Sequence, residues 1–254
     1  MTDQPDDGQE RSLFVSWRDP VGSNHPIGRL LRRLGPDGEA YRFSYLKAVE
    51  QLEEFEPLPG LPDLHRRYES SRLFPVFANR LMPRSRPDFG LLASRVDLDR
   101  DADPFEVLAR TGGRRVTDRI EVFAPPERTP AGESTLLFLA RGIRDVPGAV
   151  EAVARLAAGD RLVVADQPDN ESSARAILRR ATDASQIGWV PDYLVEHVHE
   201  LRQLNGEDPV ITVEHVNDAT VAAHMRLLCR LRAPWPDGYK PFADEAFQPL
   251  ADLA

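Results

Sequence analysis

The sequence predicts an α+β protein built from two modules. Short apolar runs of strand length recur along the chain, separated by glycine, proline and asparagine turn signals. Helical periodicity is confined to a few brief stretches. One segment, Ala124 to Glu133, holds three prolines and a glycine with no apolar periodicity and marks the strongest break in the chain. The expected organisation is a disordered acidic leader over 1–10, a mixed α/β module over 11–123, a linker over 124–135, a strand-rich module over 136–233 and an irregular tail over 234–254.

In the first module, Leu13 to Trp17 reads as a strand, followed by a turn at Asp19-Pro20 and Gly22. Tyr41-Arg42-Phe43-Ser44-Tyr45 alternates aromatic and polar residues, as a hairpin strand does. Pro57-Leu58-Pro59-Gly60-Leu61-Pro62 is neither helix nor central strand and is expected to be an extended connector. Leu73, Phe77 and Leu81, four residues apart, predict a helix within Tyr68–Met82. Asp103 is a natural N-cap with Pro104 at the first helical position, Phe105 and Leu108 share a face, and Gly112-Gly113 stops the helix. Ile120 to Phe123 is a further strand.

In the second module, Leu136–Arg141, Leu162–Val164, Ala174–Leu178, Ile187–Val190, Val210–Val216 and Met225–Leu231 read as strands. Pro147–Ala157 reads as a helix, and a second helix starts at Pro191, with Leu194, Val198 and Leu201 on one face. Gln167-Pro168-Asp169-Asn170 is a polar turn. No repeat of 20–50 residues is visible.

The composition bounds the function. Of 254 residues, 41 are acidic and 32 basic, a net charge of -9, so the whole molecule is a poor counterion for nucleic acid or an anionic membrane. Cys229 is the only cysteine, which excludes an intramolecular disulfide or a cysteine-built zinc site. The polar start and the lack of a long apolar run lead to the expectation of a soluble, cytoplasmic protein without membrane attachment. Lysine occurs only at Lys47 and Lys240, but a genome rich in G and C writes arginine for lysine, so arginine count alone says nothing about phosphate recognition.

Catalytic motifs are missing. Asp88-Phe89-Gly90 spells the magnesium-binding tripeptide of protein kinases, but no glycine-rich loop and no catalytic loop accompany it. No phosphate-cradling or dinucleotide-binding glycine pattern occurs. His197 and His199, two residues apart on a helix, point about 200° apart and do not share an ion. With Glu196 and Glu200 beside them, they are expected on a solvated face. The reading is therefore non-enzymatic, with no cofactor and no metal. Local charge is more telling: Leu61 to Arg95 holds seven basic residues against three acidic. There, Phe77, Arg80, Arg84 and Arg86 form a candidate partner-binding or anion-binding patch, or else a solvated helix end.

The stretch Leu136 to Leu201 resembles a HIRAN domain. The resemblance rests, in order, on Arg141-Gly142-Ile143-Arg144, Gly159-Asp160-Arg161-Leu162, Pro168-Asp169-Asn170, Ala176-Ile177 and Ile187-Gly188-Trp189-Val190-Pro191. It implies a small OB-like β-barrel and binding of the 3′ end of single-stranded DNA. The family pocket places an arginine and an aromatic in the first strand and a Tyr-Asp pair after the turn. Here Arg144 matches, whereas the aromatic position is Asp145 and the pair is Ser172-Ser173. Between Leu136 and Leu204 lie 8 basic and 10 acidic residues, so no basic groove is expected. The expected nucleic-acid contacts are Arg144, Asn170, Ser172, Ser173, Arg175 and Tyr193; Trp189 offers a stacking plane or packs in the core.

Residues Arg11 to Phe123 resemble the N-terminal subdomain of HipA-type toxin kinases, through Gly28-Arg29-Leu30, Tyr41–Tyr45, Pro57-Leu58-Pro59, Tyr68-Glu69-Ser70, Leu73 to Leu81 and Leu108 to Asp118. In split systems that subdomain is a separate protein that binds and restrains the kinase. Two functions are thus expected: a nucleic-acid-binding HIRAN-type protein, or an antitoxin-like subunit docking on a separate HipA-type kinase. Neither ligand nor oligomeric state is legible.

Overall fold

The computed structural model describes residues 10–36, 38–115, 117–166, 176–180 and 182–251, with only the backbone at 176 and 177. The first elements in chain order are strands β1 (Glu10–Arg18), β2 (Asn24–Gly35), β3 (Gly38–Tyr45) and β4 (Tyr68–Ser70), helices α1 (Pro75–Ala78), α2 (Phe89–Arg95) and α3 (Pro104–Thr111), and β5 (Ile120–Phe123). There follow β6 (Glu127–Arg128), β7 (Glu133–Leu139), α4 (Ala149–Val153), β8 (Arg161–Asp166), β9 (Ala176–Arg180), β10 (Gln186–Trp189), α5 (Asp192–Asn205), β11 (Val210–Val216) and β12 (Leu227–Pro234). The fold is α+β with two antiparallel sheets. No helix among the described residues is long and apolar enough to cross a membrane.

The chain forms two compact units: residues 1–82, 103–125 and 243–254 in one, 83–102 and 126–242 in the other. This differs from a single break in the proline-rich segment. The segment 83–102, with α2, belongs to the second unit, and residues 243–254 return to the first.

The first unit is a five-stranded sheet in the order β4-β3-β2-β1-β5. Alternation in β1 and β3 turns Leu13, Val15, Tyr41, Phe43 and Tyr45 into one buried core. The Tyr45 hydroxyl donates to the Leu61 carbonyl and accepts from Leu58 N–H, both at 2.7 Å, which pins the proline-rich connector over the core. Gly28 is needed where β2 crosses β3, since a Cβ there would lie 2.4 Å from the Phe43 ring. The Asp103 carboxylate caps α3, accepting from the N–H groups of Phe105 and Glu106 at 2.8 and 3.0 Å, and it also pairs with the buried Arg32 at 3.0 Å.

The long helix expected within Tyr68–Met82 does not form. Tyr68–Ser70 pairs with β3 as an edge strand, and only one turn, α1, follows. Pro75 restricts Phe74 to extended backbone, so no helix runs through it. The apolar spacing is real, but it reflects a turn packing Phe77 into the core with Leu73 and Leu81 beside it. The segment expected as a linker instead makes a hairpin: β6 pairs with β7, and Thr129 N–H bonds to the Glu133 carbonyl at 2.8 Å. Its prolines, Pro125, Pro126 and Pro130, flank β6 rather than lying in it, so they take no donor from the ladder. The tail is mostly irregular but anchored, with Lys47 N–H on the Gln248 carbonyl at 2.9 Å and Leu250 N–H on the Tyr45 carbonyl at 2.8 Å. Of the expected leader, only Glu10 is among the described residues, and it opens β1.

The second unit is a seven-stranded sheet in the order β10-β9-β8-β11-β12-β7-β6. Its inner face, with Leu162, Leu178, Ile211, Cys229 and Leu231, packs against α4 and α5 through Ala149, Val153, Leu194, Val198 and Leu201. Cys229 is fully buried, and burial pushes its thiol up, away from thiolate chemistry. The Asp88-Phe89-Gly90 tripeptide sits at the start of α2, with Phe89 buried and Asp88 paired with Arg86 at 2.9 Å.

Candidate functional site

Beyond β7 the chain leaves its pairing with β12 and reaches β10, the strand at the far end of the sheet. Arg141 and Trp189 exchange both backbone hydrogen bonds at 2.9 Å, an isolated antiparallel bridge. The two motif segments at either end of the HIRAN resemblance are the ones joined here. Glycine makes the approach feasible on both sides. A Cβ on Gly142 would lie 2.0 Å from the Trp189 ring, and one on Gly188 would lie 2.3 Å from the Arg141 carbonyl oxygen. Both glycines hold positive φ, +66° and +155°, where other residues are strained.

Immediately after the bridge, Asp145 N–H closes a turn on the Gly142 carbonyl at 2.9 Å. Ile143 and Val146 drop into the core and leave Arg144 and Asp145 exposed between them. Arg144 has no ion pair among the described residues, so its guanidinium is available to an anion. The Asp145 carboxylate next to it takes the place an aromatic would need for stacking. Trp189 is partly buried and packs against the core, which spends one side of its ring on structure. Tyr193, in the first turn of α5, is also half-buried against that core. Asn170, Ser172, Ser173 and Arg175 lie outside the described residues.

Half of the candidate docking patch, Phe77 and Arg80, is taken up by structure, and Arg84 and Arg86 are exposed. Phe77 is fully buried in the core of the first unit. The Arg80 side chain is 3% exposed and pairs with Asp118 through two hydrogen bonds of 3.0 and 2.7 Å; it also donates to the carbonyls of Val76 and Gly113 at 2.9 and 3.0 Å. A guanidinium satisfied on all sides holds the α3–β5 connection and presents nothing to a partner. Arg84 donates to the Ala102 carbonyl. Arg86 is at the surface, and its pair with Asp88 holds the Asp88 carboxyl below its ordinary range. Arg84 and Arg86 are exposed, as are Arg66, Arg67 and Arg72 earlier in the stretch, so most of its positive count is at the surface and Arg80 is withdrawn into the fold.

The histidines of α5 are arranged differently from the expected solvated face. Glu196 and Glu200 are exposed, but His197 is 1% exposed and faces the core. Its Nδ1 lies 2.6 Å from the Tyr239 hydroxyl, which donates to Glu200 Oε2 at 2.7 Å. The Tyr239 oxygen then accepts from His197 Nδ1–H, and Nε2 is left buried without a partner. Desolvation lowers the His197 pKa to about 4 and, with the Glu200 hydrogen bond, raises that of Tyr239. Sequence reasoning missed this chain because Tyr239 lies in a tail without periodicity. The signal present was the i, i+4, i+7 apolar stripe of α5, on whose flank His197 falls. Among the described residues no group of His, Cys, Asp or Glu side chains is placed to hold a metal ion. Comparisons with protein-family models, curated proteins and solved structures found no match.

Proposed function

We propose that the second unit is a HIRAN-like, OB-like module that binds single-stranded nucleic acid, and that the chain works as a non-enzymatic binding protein. One observation carries this reading: the Arg141–Trp189 bridge draws the two ends of the motif together and leaves Arg144 exposed without an ion pair beside it. A sheet whose first and last motif strands meet is what an OB-like barrel requires. An exposed arginine without an ion pair suits the last phosphodiester of a single strand. Asp145 opposes it and limits the affinity.

The test is a fluorescence-anisotropy titration with a labelled single-stranded oligonucleotide bearing a free 3′ end, across a series of salt concentrations. Binding at low salt is expected, weakened in Arg144→Ala with a salt slope shallower by about 0.7. No salt-dependent binding, or Arg144→Ala equal to wild type, would contradict the reading. Docking on a HipA-type kinase draws no support from Phe77 and Arg80, which are committed to the core of the first unit, and would rest on the exposed Arg84 and Arg86.

A further inference from the structure

The seven-stranded sheet has a second face, and its residues follow from register. In β8 the buried residues are Leu162 and Val164, so Arg161 and Val163 point the other way. Arg161 stands opposite Thr212 on β11, and Thr212 opposite Arg230 on β12. One row along, Val163 stands opposite Arg179 on β9, and Val210 opposite Arg232 on β12. The antiparallel register that sets Ile211 against Leu162 brings Val210 next to Val163. A row of arginine, valine, valine, arginine thus crosses four strands on the side away from α4 and α5. Val163 and Val210 are 39% and 38% exposed, so this part of the face is open, whereas Leu228, farther along the same side of β12, is buried.

Its charges are unbalanced. Arg161, Arg179 and Arg232 have no ion pair among the described residues, and Arg179 Nε lacks any hydrogen-bond partner. Glu214 on the same face is paired with Arg230 through two hydrogen bonds of 2.7 Å, and Asp97 also acts on Arg230, so the acidic charge is gathered at that arginine. The sheet spacing places Arg179 and Arg232 about 14 Å apart, with Arg161 about 7 Å out of their row. Three unpaired guanidinium groups on a pleated surface, with exposed valines between them and no aromatic side chain in these two rows, match a phosphodiester chain rather than base edges.

We propose that this face binds the phosphate backbone of single-stranded nucleic acid along its length, independent of sequence and of strand ends. The proposal rests on the reading of this unit as a nucleic-acid binder but not on Arg144. The cationic face is local in a chain of net charge -9, so binding belongs to low ionic strength.

The experiment uses circular single-stranded DNA, which has no ends, and linear oligothymidine, each titrated over salt. Wild type is expected to bind both. The triple variant Arg161→Gln, Arg179→Gln, Arg232→Gln should lose at least tenfold in affinity for the circle, with a salt slope shallower by about 2, for three phosphate contacts at about 0.7 each. The corresponding triple replacement by lysine should keep the slope, because the contribution is charge. Circle binding that survives the glutamine variant with an unchanged slope overturns the proposal, as does a lysine variant as impaired as the glutamine one. If Arg144→Ala fails to weaken 3′-ended strands while the glutamine variant loses the circle, the end-binding reading falls and the face stands.

Discussion

His197 sits inside α5's buried side, with its Nδ1–H on Tyr239 and its Nε2 facing apolar surroundings. Protonation would place a charge in the core, so the folded pKa, about 4, lies below the ordinary 6.5. As pH falls, the unfolded chain takes up this proton first. The stability from a neutral His197 is complete above about pH 6.5 and is lost toward pH 4. Between pH 7 and 5 the loss is about 2 kcal/mol. Urea unfolding at the two pH values should show wild type losing that much more than His197→Phe; equal losses in both would show that His197 is not buried neutral. Arg80 teaches the complementary lesson. From sequence it is a cation in a basic stretch, but its surroundings are set by Asp118, 38 positions away, which no local pattern reveals.

At the level of elements, local signals were read correctly where local physics decides. Asp103-Pro104 opens α3 and Gly112 closes it in the left-handed conformation, because capping and the proline ring act within a turn. The Leu13, Tyr41 and Ile120 strands and the Pro57–Pro62 connector follow from alternation and proline in the same way. The Leu73–Phe77–Leu81 spacing failed because edge pairing of Tyr68 and the ring of Pro75 outweigh helical periodicity in so short a stretch. Gly142 and Gly188 were recognised as motif residues, but the bridge they permit is a tertiary contact and was illegible. Gly142→Ala should push a methyl group into the Trp189 ring and break both bridge hydrogen bonds. Trp189 would then gain exposure to water, seen as a red shift of intrinsic fluorescence and a lowered unfolding midpoint; unchanged emission and midpoint would show that the bridge yields without cost.

For the whole molecule, the sequence suggested one break, whereas the chain passes between its two units near residues 82, 102, 125 and 242. The segment 83–102 is tied into the second unit by Asn217, whose side-chain amide donates to the Arg95 carbonyl at 2.7 Å, a contact spanning 122 positions. The net charge misled in a similar way. Arg80, at the centre of the counted excess, is withdrawn into the fold by Asp118, while the second unit, slightly acidic in total, gathers three unpaired arginines on one sheet face. Placement, not composition, decides where an anion can bind.

The most direct test of the second unit as the nucleic-acid-binding part is amide hydrogen exchange of the full chain, with and without saturating oligothymidine at low salt. Slower exchange is predicted at Gly142–Val146 and in β8 and β12, with the first unit unchanged. Protection confined to the first unit, or none in either, would contradict the account.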